Sequence, residues 1–181
     1  MKTYISLLRG INVGGHKIIK MTDLKLLFQK LLFENVTTYI QSGNVIFKTE
    51  ETAVELLSKK ITEQIFSDYG FDVHVTTFNL QSFNELIQNN PFLKETSKKE
   101  EFFHITCFSK PIENIDIESL SKKINGEETF ILHQNCLYLY LPYGYGNTKL
   151  TNTFFEKKLN QLATTRNWKT MKELLKIAEN L

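Results

Sequence analysis

Glycine, proline and cysteine are scarce in this chain. It has 8 glycines and 3 prolines in 181 residues, so most of it is expected to form helices and strands. The two cysteines, Cys107 and Cys136, are too few for a disulfide framework, and neither belongs to a Cys-X-X-Cys pair. The low glycine and proline content excludes a turn-rich, low-complexity protein, and the low cysteine content excludes a small protein stabilised by several disulfides.

Long apolar runs are also missing. The apolar run in residues 1–8 is interrupted by Arg9 and is too short for a signal-peptide core. No later run approaches the length of a membrane span. The sequence therefore predicts a cytoplasmic protein with no membrane partner. Its 41% hydrophobic and 23% charged residues are average for globular proteins.

Acidic residues are absent from three long windows, although the formal net charge is only +2. Residues 1–22, 133–155 and 157–172 contain lysine or arginine but no aspartate or glutamate. These windows also contain the two loops that have more than one glycine. Their composition favours partners of negative charge.

The first 79 residues predict one α+β subdomain with the order strand, helix, strand, strand, helix, strand. Thr22 is the expected N-cap of the first helix, Thr52 and Glu55 form a capping box for the second, and Gly70 ends it. In about 80 residues this order is typical of a split βαβ, ferredoxin-like unit. The predicted segments are residues 3–8, 22–32, 36–40, 44–48, 52–70 and 73–77.

Residues 80–181 predict a second α+β subdomain with the order strand, helix, strand, strand, helix, followed by a C-terminal helix. A helix over 80–88 precedes the first of these strands and stops before Pro91. The fold class is therefore α+β, with two ferredoxin-like halves and mostly antiparallel sheets, rather than a doubly wound sheet. The predicted segments are residues 101–108, 115–124, 129–132, 136–141, 151–162 and 170–180.

Three kinds of catalytic or metal site are disfavoured. The four histidines have no metal-ligand spacing, so no metal is expected. The distinctive loops lack carboxylates, which disfavours a carboxylate-driven hydrolase. There is no G-x-S-x-G nucleophile elbow, and Ser42-Gly43 fits a hairpin turn.

The loop after the first strand is a candidate anion site. Glycines let backbone N–H groups approach an oxyanion closely, and Lys17 and Lys20 add positive charge. The loop is neither a Walker loop nor a dinucleotide fingerprint, so no cofactor is predicted. As an isolated motif it is better explained as a structural turn. Its candidate residues are Arg9, Gly10, Asn12, Gly14 and Gly15.

Two further basic segments precede predicted helices. Residues 144–149 include two glycines and Lys149, and lead into the helix at 151 or 152. Residues 164–170 contain Arg166, Asn167 and Trp168 ahead of a capping box formed by Thr170 and Glu173. Trp168 offers a ring for stacking on a base, but packing is the better interpretation for a lone large aromatic residue.

Four segments resemble the signature stretches of domain-of-unknown-function family 1697: residues 7–15, 39–45, 90–92 and 163–168. Residues 144–150 and 20–21 are also similar to that pattern. The resemblance implies a bacterial-type cytosolic protein with two α+β subdomains, and implies no activity, substrate or cofactor. The motif positions are Arg9, Gly10, Asn12, Gly14, Gly15, Gln41, Ser42, Gly43, Asn44, Lys149, Arg166, Asn167 and Trp168.

Three functions follow from these patterns. In the first, the motif residues form a pocket for a small ligand that carries phosphate or carboxylate, with Arg9, Lys149 and Arg166 neutralising its charge. The second is a nucleic-acid-binding module, with four tyrosines and the tryptophan as stacking groups. The third is a protein-interaction module without a ligand. No general base can be named, so catalysis is left open. The stacking candidates are Tyr138, Tyr140, Tyr143, Tyr145 and Trp168.

Overall fold

The same order of strands and helices occurs twice along the chain. The computed structural model describes residues 1–112 and 116–181. In its first part the elements are β1 Lys2–Leu8, α1 Met21–Lys30, β2 Glu34–Tyr39, β3 Asn44–Thr49, α2 Val54–Tyr69, β4 Val75–Asn79 and α3 Leu80–Gln88. The later part contains short 3₁₀ turns at Pro91–Lys94 and Glu100–Phe102, then β5 Phe103–Phe108, α4 Ile117–Ser121, β6 Thr129–His133, β7 Cys136–Tyr140, α5 Asn152–Leu159, β8 Ala163–Asn167 and α6 Trp168–Glu179.

Each set of strands forms a four-stranded antiparallel sheet. The strand order is β2-β3-β1-β4 in one sheet and β6-β7-β5-β8 in the other. In both sheets the first and third strands of the set are central, which is the arrangement of a split βαβ unit. The predicted fold class is confirmed.

Several predicted element boundaries are wrong. Strand β8 was not predicted, and α6 begins at Trp168 rather than after Thr170. Helix α1 has Lys20 at its N-cap without a side-chain cap, so Thr22 does not serve there. The predicted start of α4 at residue 115 lies outside the described residues.

The Thr52–Glu55 capping box is also absent. Helix α2 has Ala53 at its N-cap, and the carboxylate of Glu51 accepts hydrogen bonds from the backbone N–H groups of Thr52 and Ala53, at 2.9 Å and 3.1 Å. These bonds hold the pKa of Glu51 below its usual value. Gly70 ends α2 at a φ of 73°, as predicted.

The chain divides into two units. The first contains Met1–Gln88 and Lys172–Leu181, and the second contains Asn89–Met171. These ranges differ from the predicted 1–79 and 80–181, because α3 and the last ten residues group with the first unit. Among the described residues, no helix has the length and hydropathy needed to cross a membrane.

The core of the first unit is organised around Phe47. This residue is fully buried on β3, and its ring lies 4.5 Å from that of Phe33, 5.3 Å from Phe28 and 5.9 Å from Tyr4. Leucines and isoleucines of α1 and α2 complete the cluster. The sheet and both helices therefore depend on one aromatic centre.

A pair of hydroxyl groups joins the first and last strands in each unit. Ser6 Oγ and Thr77 Oγ1 lie 2.8 Å apart between β1 and β4, and Thr106 Oγ1 and Thr165 Oγ1 lie 2.7 Å apart between β5 and β8. In both cases the two residues are register partners. Equivalent strands of the two units are therefore joined by the same kind of hydroxyl pair, fully buried in the first unit and part-buried in the second.

Replacing Phe47 tests the role of this aromatic centre. We expect Phe47→Ala to lower the free energy of unfolding by about 3–5 kcal/mol, the usual cost of deleting a buried aromatic ring. Phe66→Ala is the matched control: Phe66 is 53% exposed, so its loss should change stability by less than about 0.5 kcal/mol. Denaturant unfolding measures both, and equal effects would contradict this account.

Candidate functional site

The side chain of Asn12 organises the glycine loop, residues 9–20, which connects β1 to α1. Its Oδ1 accepts a hydrogen bond from Ile19 N at 2.9 Å, and its Nδ2 donates to Ile19 O and to Gln41 O, both at 2.9 Å. The backbone N–H of Asn12 donates to Lys17 O at 3.2 Å. One amide therefore closes the glycine loop on itself and ties it to the turn that contains Gln41.

That hairpin turn, residues 40–43, joins β2 to β3. Asn44 follows it and is fully buried. Its Nδ2 donates to Tyr39 O and to Ser42 Oγ, each at 3.0 Å, so the amide spans the turn from its start to its end. Ile40 has a φ of 49°, which is rare for a β-branched residue and marks the turn as conformationally strained.

Gly43 allows the hairpin turn to lie against the glycine loop. Leu8 N donates to Gly43 O at 2.8 Å. A Cβ at position 43 would lie 2.7 Å from Ile11 Cδ1 and 2.8 Å from Leu8 Cβ, and the φ of Gly43 is +74°. Both the close approach and the left-handed backbone therefore require glycine here.

The glycine loop exposes backbone donors. Val13 and His16 form a β-bridge, with His16 N donating to Val13 O at 3.0 Å. Gly14 and Gly15 make the tight turn between them, both at positive φ. Among the bonds formed by the described residues, none uses the backbone N–H of Gly10, Gly14 or Gly15. These three N–H groups are available to an external acceptor.

Three basic residues belong to the same loop as these donors. Arg9 begins the loop, and its backbone N–H donates to His74 O at 2.8 Å. Lys17 Nζ donates to the carbonyl oxygen of Asp72, while Lys20 is exposed at the end of the loop. The segment that leads into β4 therefore forms one side of the site. This neighbour was not named from the sequence, although the pairing of β4 with β1 in a ferredoxin-like unit implies it.

The candidate residues of the first unit are thus brought together. The glycine loop supplies Arg9, Gly10, Asn12, Gly14 and Gly15, and the hairpin turn with the start of β3 supplies Gln41, Ser42, Gly43 and Asn44.

Two of the second unit's candidates, Arg166 and Asn167, lie where β8 meets α6. Arg166 is half-buried, and one of its hydrogen bonds runs from Nη1 to Thr165 O at 2.9 Å. Asn167 Oδ1 accepts from Thr170 N at 2.8 Å, so Asn167, not Thr170, caps the helix. Asn167 therefore holds the helix start beside Arg166.

Trp168 packs in the core of the second unit. It is 2% exposed, its ring lies 6.2 Å from that of Phe103, and its Nε1 donates to Glu100 Oε2 at 3.1 Å. Lys149, by contrast, is exposed in the loop before α5. Of these two candidates, only Lys149 presents its side chain to solvent.

The loop that contains Lys149 also contacts a histidine. The Tyr145 ring stacks on His104 at 5.4 Å, and the Tyr145 hydroxyl accepts from Asn152 N at 3.3 Å. Burial lowers the pKa of His104, which favours its neutral form. This pairing was not foreseen, because residues 104 and 145 are joined only by the fold of the second unit.

The aromatic residues offered for base stacking are mostly inaccessible. Tyr138 is 0% exposed, Tyr140 is 7% exposed and Trp168 is 2% exposed. Only Tyr143 and Tyr145 keep accessible surface. The described residues contain no group of three or more His, Cys, Asp or Glu side chains placed to hold a metal ion.

Together these features define an α+β protein of two ferredoxin-like units, with a glycine-rich, basic loop at the end of its first strand. The chain belongs to the family described as "Protein of unknown function (DUF1697)", which matches residues 1–138. Among solved structures it is similar to the conserved bacterial protein SP0830 from Streptococcus pneumoniae, with 22% sequence identity, a TM-score of 0.72 and coverage of 98% of each chain. No curated protein matches the chain.

Two alanine substitutions distinguish the stability cost of a left-handed backbone from the cost of a steric clash at the glycine positions. Gly15 and Gly43 have similar φ values, +77° and +74°, but a Cβ at Gly15 has nothing within 4 Å. Gly15→Ala should therefore cost only the left-handed penalty of about 1–2 kcal/mol. Gly43→Ala should cost about 1–3 kcal/mol more, because it also forces overpacking. Denaturant unfolding of the two variants measures the difference, and equal costs would rule out the close approach.

Proposed function

We propose that the first unit binds a small ligand carrying a phosphate or carboxylate group. The site is the glycine loop together with the hairpin turn. The proposal rests on the side-chain amide of Asn12, which holds both segments in place. The backbone N–H groups of Gly10, Gly14 and Gly15 in the same loop have no acceptor among the described residues. Such donors bind an oxyanion without rearrangement.

Charge supports the same ligand class. Arg9, Lys17 and Lys20 lie in the glycine loop, and residues 1–22 contain no acidic residue. The guanidinium group of Arg9 suits a two-point contact with an oxyanion, whereas lysine supplies a point charge. Asn12 and Asn44 use their amides to hold the backbone, so we assign them to positioning the site.

We propose Lys149 and Arg166 as the anion-contacting residues of the second unit. Asn167 and Trp168 support that segment, the first by capping α6 and the second by packing. The family resemblance also leads us to propose a cytoplasmic location. The proposed role is binding, and no reaction is assigned to it.

A thermal-shift panel tests the proposed ligand class. Inorganic phosphate, a nucleoside monophosphate, a sugar phosphate and a dicarboxylate should be compared with an uncharged sugar. A ligand that binds only the folded protein, present at 100 times its Kd, adds about 2.7 kcal/mol of stability. For a chain of this length that raises Tm by roughly 5–10 °C. Equal Tm values with every compound would favour an interaction module without a ligand.

Replacing Arg9 tests the charge contact. We expect Arg9→Ala to weaken binding of the best anion in that panel by about 1.5–3 kcal/mol, the loss of one charge-assisted hydrogen bond. Titration calorimetry measures the change. Lys25→Ala removes the same charge from an exposed position of α1 and should leave the affinity unchanged.

Two results would contradict this role of Arg9. One is a folded Arg9→Ala variant that binds as the parent does, and the other is an equal loss in Lys25→Ala. The salt dependence of binding distinguishes the small-anion site from the nucleic-acid alternative. Several phosphate contacts make the affinity fall steeply with ionic strength, whereas the affinity of a site for a single phosphate changes little.

A further inference from the structure

The two cysteines of the chain lie side by side in the second unit. Cys107 on β5 and Cys136 on β7 are register partners, and their Sγ atoms are 3.4 Å apart. The next pair along these strands is Phe108 and Asn135, where Phe108 N donates to Asn135 O at 2.8 Å. Hydrogen-bonded and non-hydrogen-bonded pairs alternate along antiparallel strands, so the two cysteines form a non-hydrogen-bonded pair. Partner Cα atoms at such positions are about 4.5 Å apart, which lies within the range that a disulfide spans.

The first unit shows that the fold does not require this pair. Leu8 N bonds to Gly43 O as Phe108 N bonds to Asn135 O, each at 2.8 Å. The positions equivalent to the two cysteines are therefore Leu7 and Asn44, which are also register partners. The second unit thus has a dithiol where its structural counterpart has an apolar residue and an amide.

The pair lies at the end of the sheet, although both thiols are buried. Cys107 is 0% exposed and Cys136 is 2% exposed. Cys136 directly follows the two-residue turn at 134–135, and Ser109, two residues beyond Cys107, is exposed. Opening of the last residues of the β6–β7 hairpin would expose Cys136 without separating the rest of the strands.

We propose that Cys107 and Cys136 are a redox-modification site that closes to a cross-strand disulfide by exchange with a small-molecule disulfide. The Cys136 thiolate attacks one sulfur of the small disulfide and expels the first small thiolate. The Cys107 thiolate then attacks Cys136 Sγ in the mixed disulfide and expels the second. Two protein thiols are oxidised to one disulfide, and the small disulfide is reduced to two small thiolates, which take up the two protons that the cysteines release.

The surroundings of the pair set the rate of this exchange. The hydrogen bond with Cys107 and burial both raise the pKa of the Cys136 thiol well above its usual value. The reactive thiolate is therefore scarce at neutral pH, and exchange should accelerate as the pH is raised. Once formed, the bond joins β5 to β7 at the turn and restrains the unfolded chain.

Oxidation of the full chain with cystamine tests the proposal. Intact mass should show the loss of two hydrogen atoms without a retained cystamine adduct, and dithiothreitol should reverse it. The rate should rise from neutral to alkaline pH, and the oxidised protein should melt roughly 5–10 °C higher. Cys107→Ser is the matched variant: it lacks the resolving thiol and should accumulate a cystamine adduct on Cys136.

Three outcomes would overturn the proposal. The first is that the wild-type chain keeps both free thiols, even in urea just below its unfolding midpoint. The second is that each cysteine captures a cystamine adduct and no internal disulfide forms. The third is that disulfide-linked dimers form in place of the internal bond. Should Cys107→Ser fail to fold, Cys107→Ala serves the same purpose, and mass measurement on the wild-type chain decides by itself.

Discussion

The candidate site depends on the three hydrogen bonds of the Asn12 side chain. Two of them close the glycine loop at Ile19, and the third reaches Gln41 in the neighbouring hairpin turn. A single amide satisfies one backbone donor and two backbone acceptors that the loop and the turn would otherwise present to water. Because the φ of Asn12 is 56°, asparagine also suits the backbone at this position. The loop is thereby held in one conformation before any ligand arrives, and a preformed site avoids the entropic cost of ordering on binding.

The two units show which features serve the fold and which are particular to one unit. In both, the first strand ends with the same pair of bonds, from Leu8 to Gly43 and Arg9 to His74 in one unit, and from Phe108 to Asn135 and Ser109 to Leu162 in the other. Beyond this shared frame the residues differ. The first unit continues into the glycine-rich basic loop, whereas the second has its dithiol at the strand end. Loops can acquire separate chemistry because the sheet fixes where they begin.

Periodicity and turn chemistry were sufficient to predict most of the fold. Alternation and helical spacing gave the central strands and helices, and Gly70 marked the end of α2. Strand β8 was missed because Thr164, Thr165 and Arg166 show no apolar alternation; its partners on β5 determine it instead. The capping boxes predicted at Thr52 and Thr170 are wrong. Side-chain oxygens of Glu51 and Asn167 accept the backbone hydrogen bonds near those helix starts instead. For the candidate site, the sequence motifs identified the positions in the first unit. They did not indicate that the side chains of Asn12 and Asn44 bond to the backbone.

Backbone amide NMR shifts during a titration with inorganic phosphate test the central claim most directly. The account predicts saturable shifts at Gly10, Gly14 and Gly15, while the Asn12 side-chain amide stays protected from exchange because its bonds to Ile19 and Gln41 persist. Shifts that scatter over the exposed lysines of the helices without saturating would contradict it. So would free exchange of the Asn12 amide, since the loop would then not be held in place.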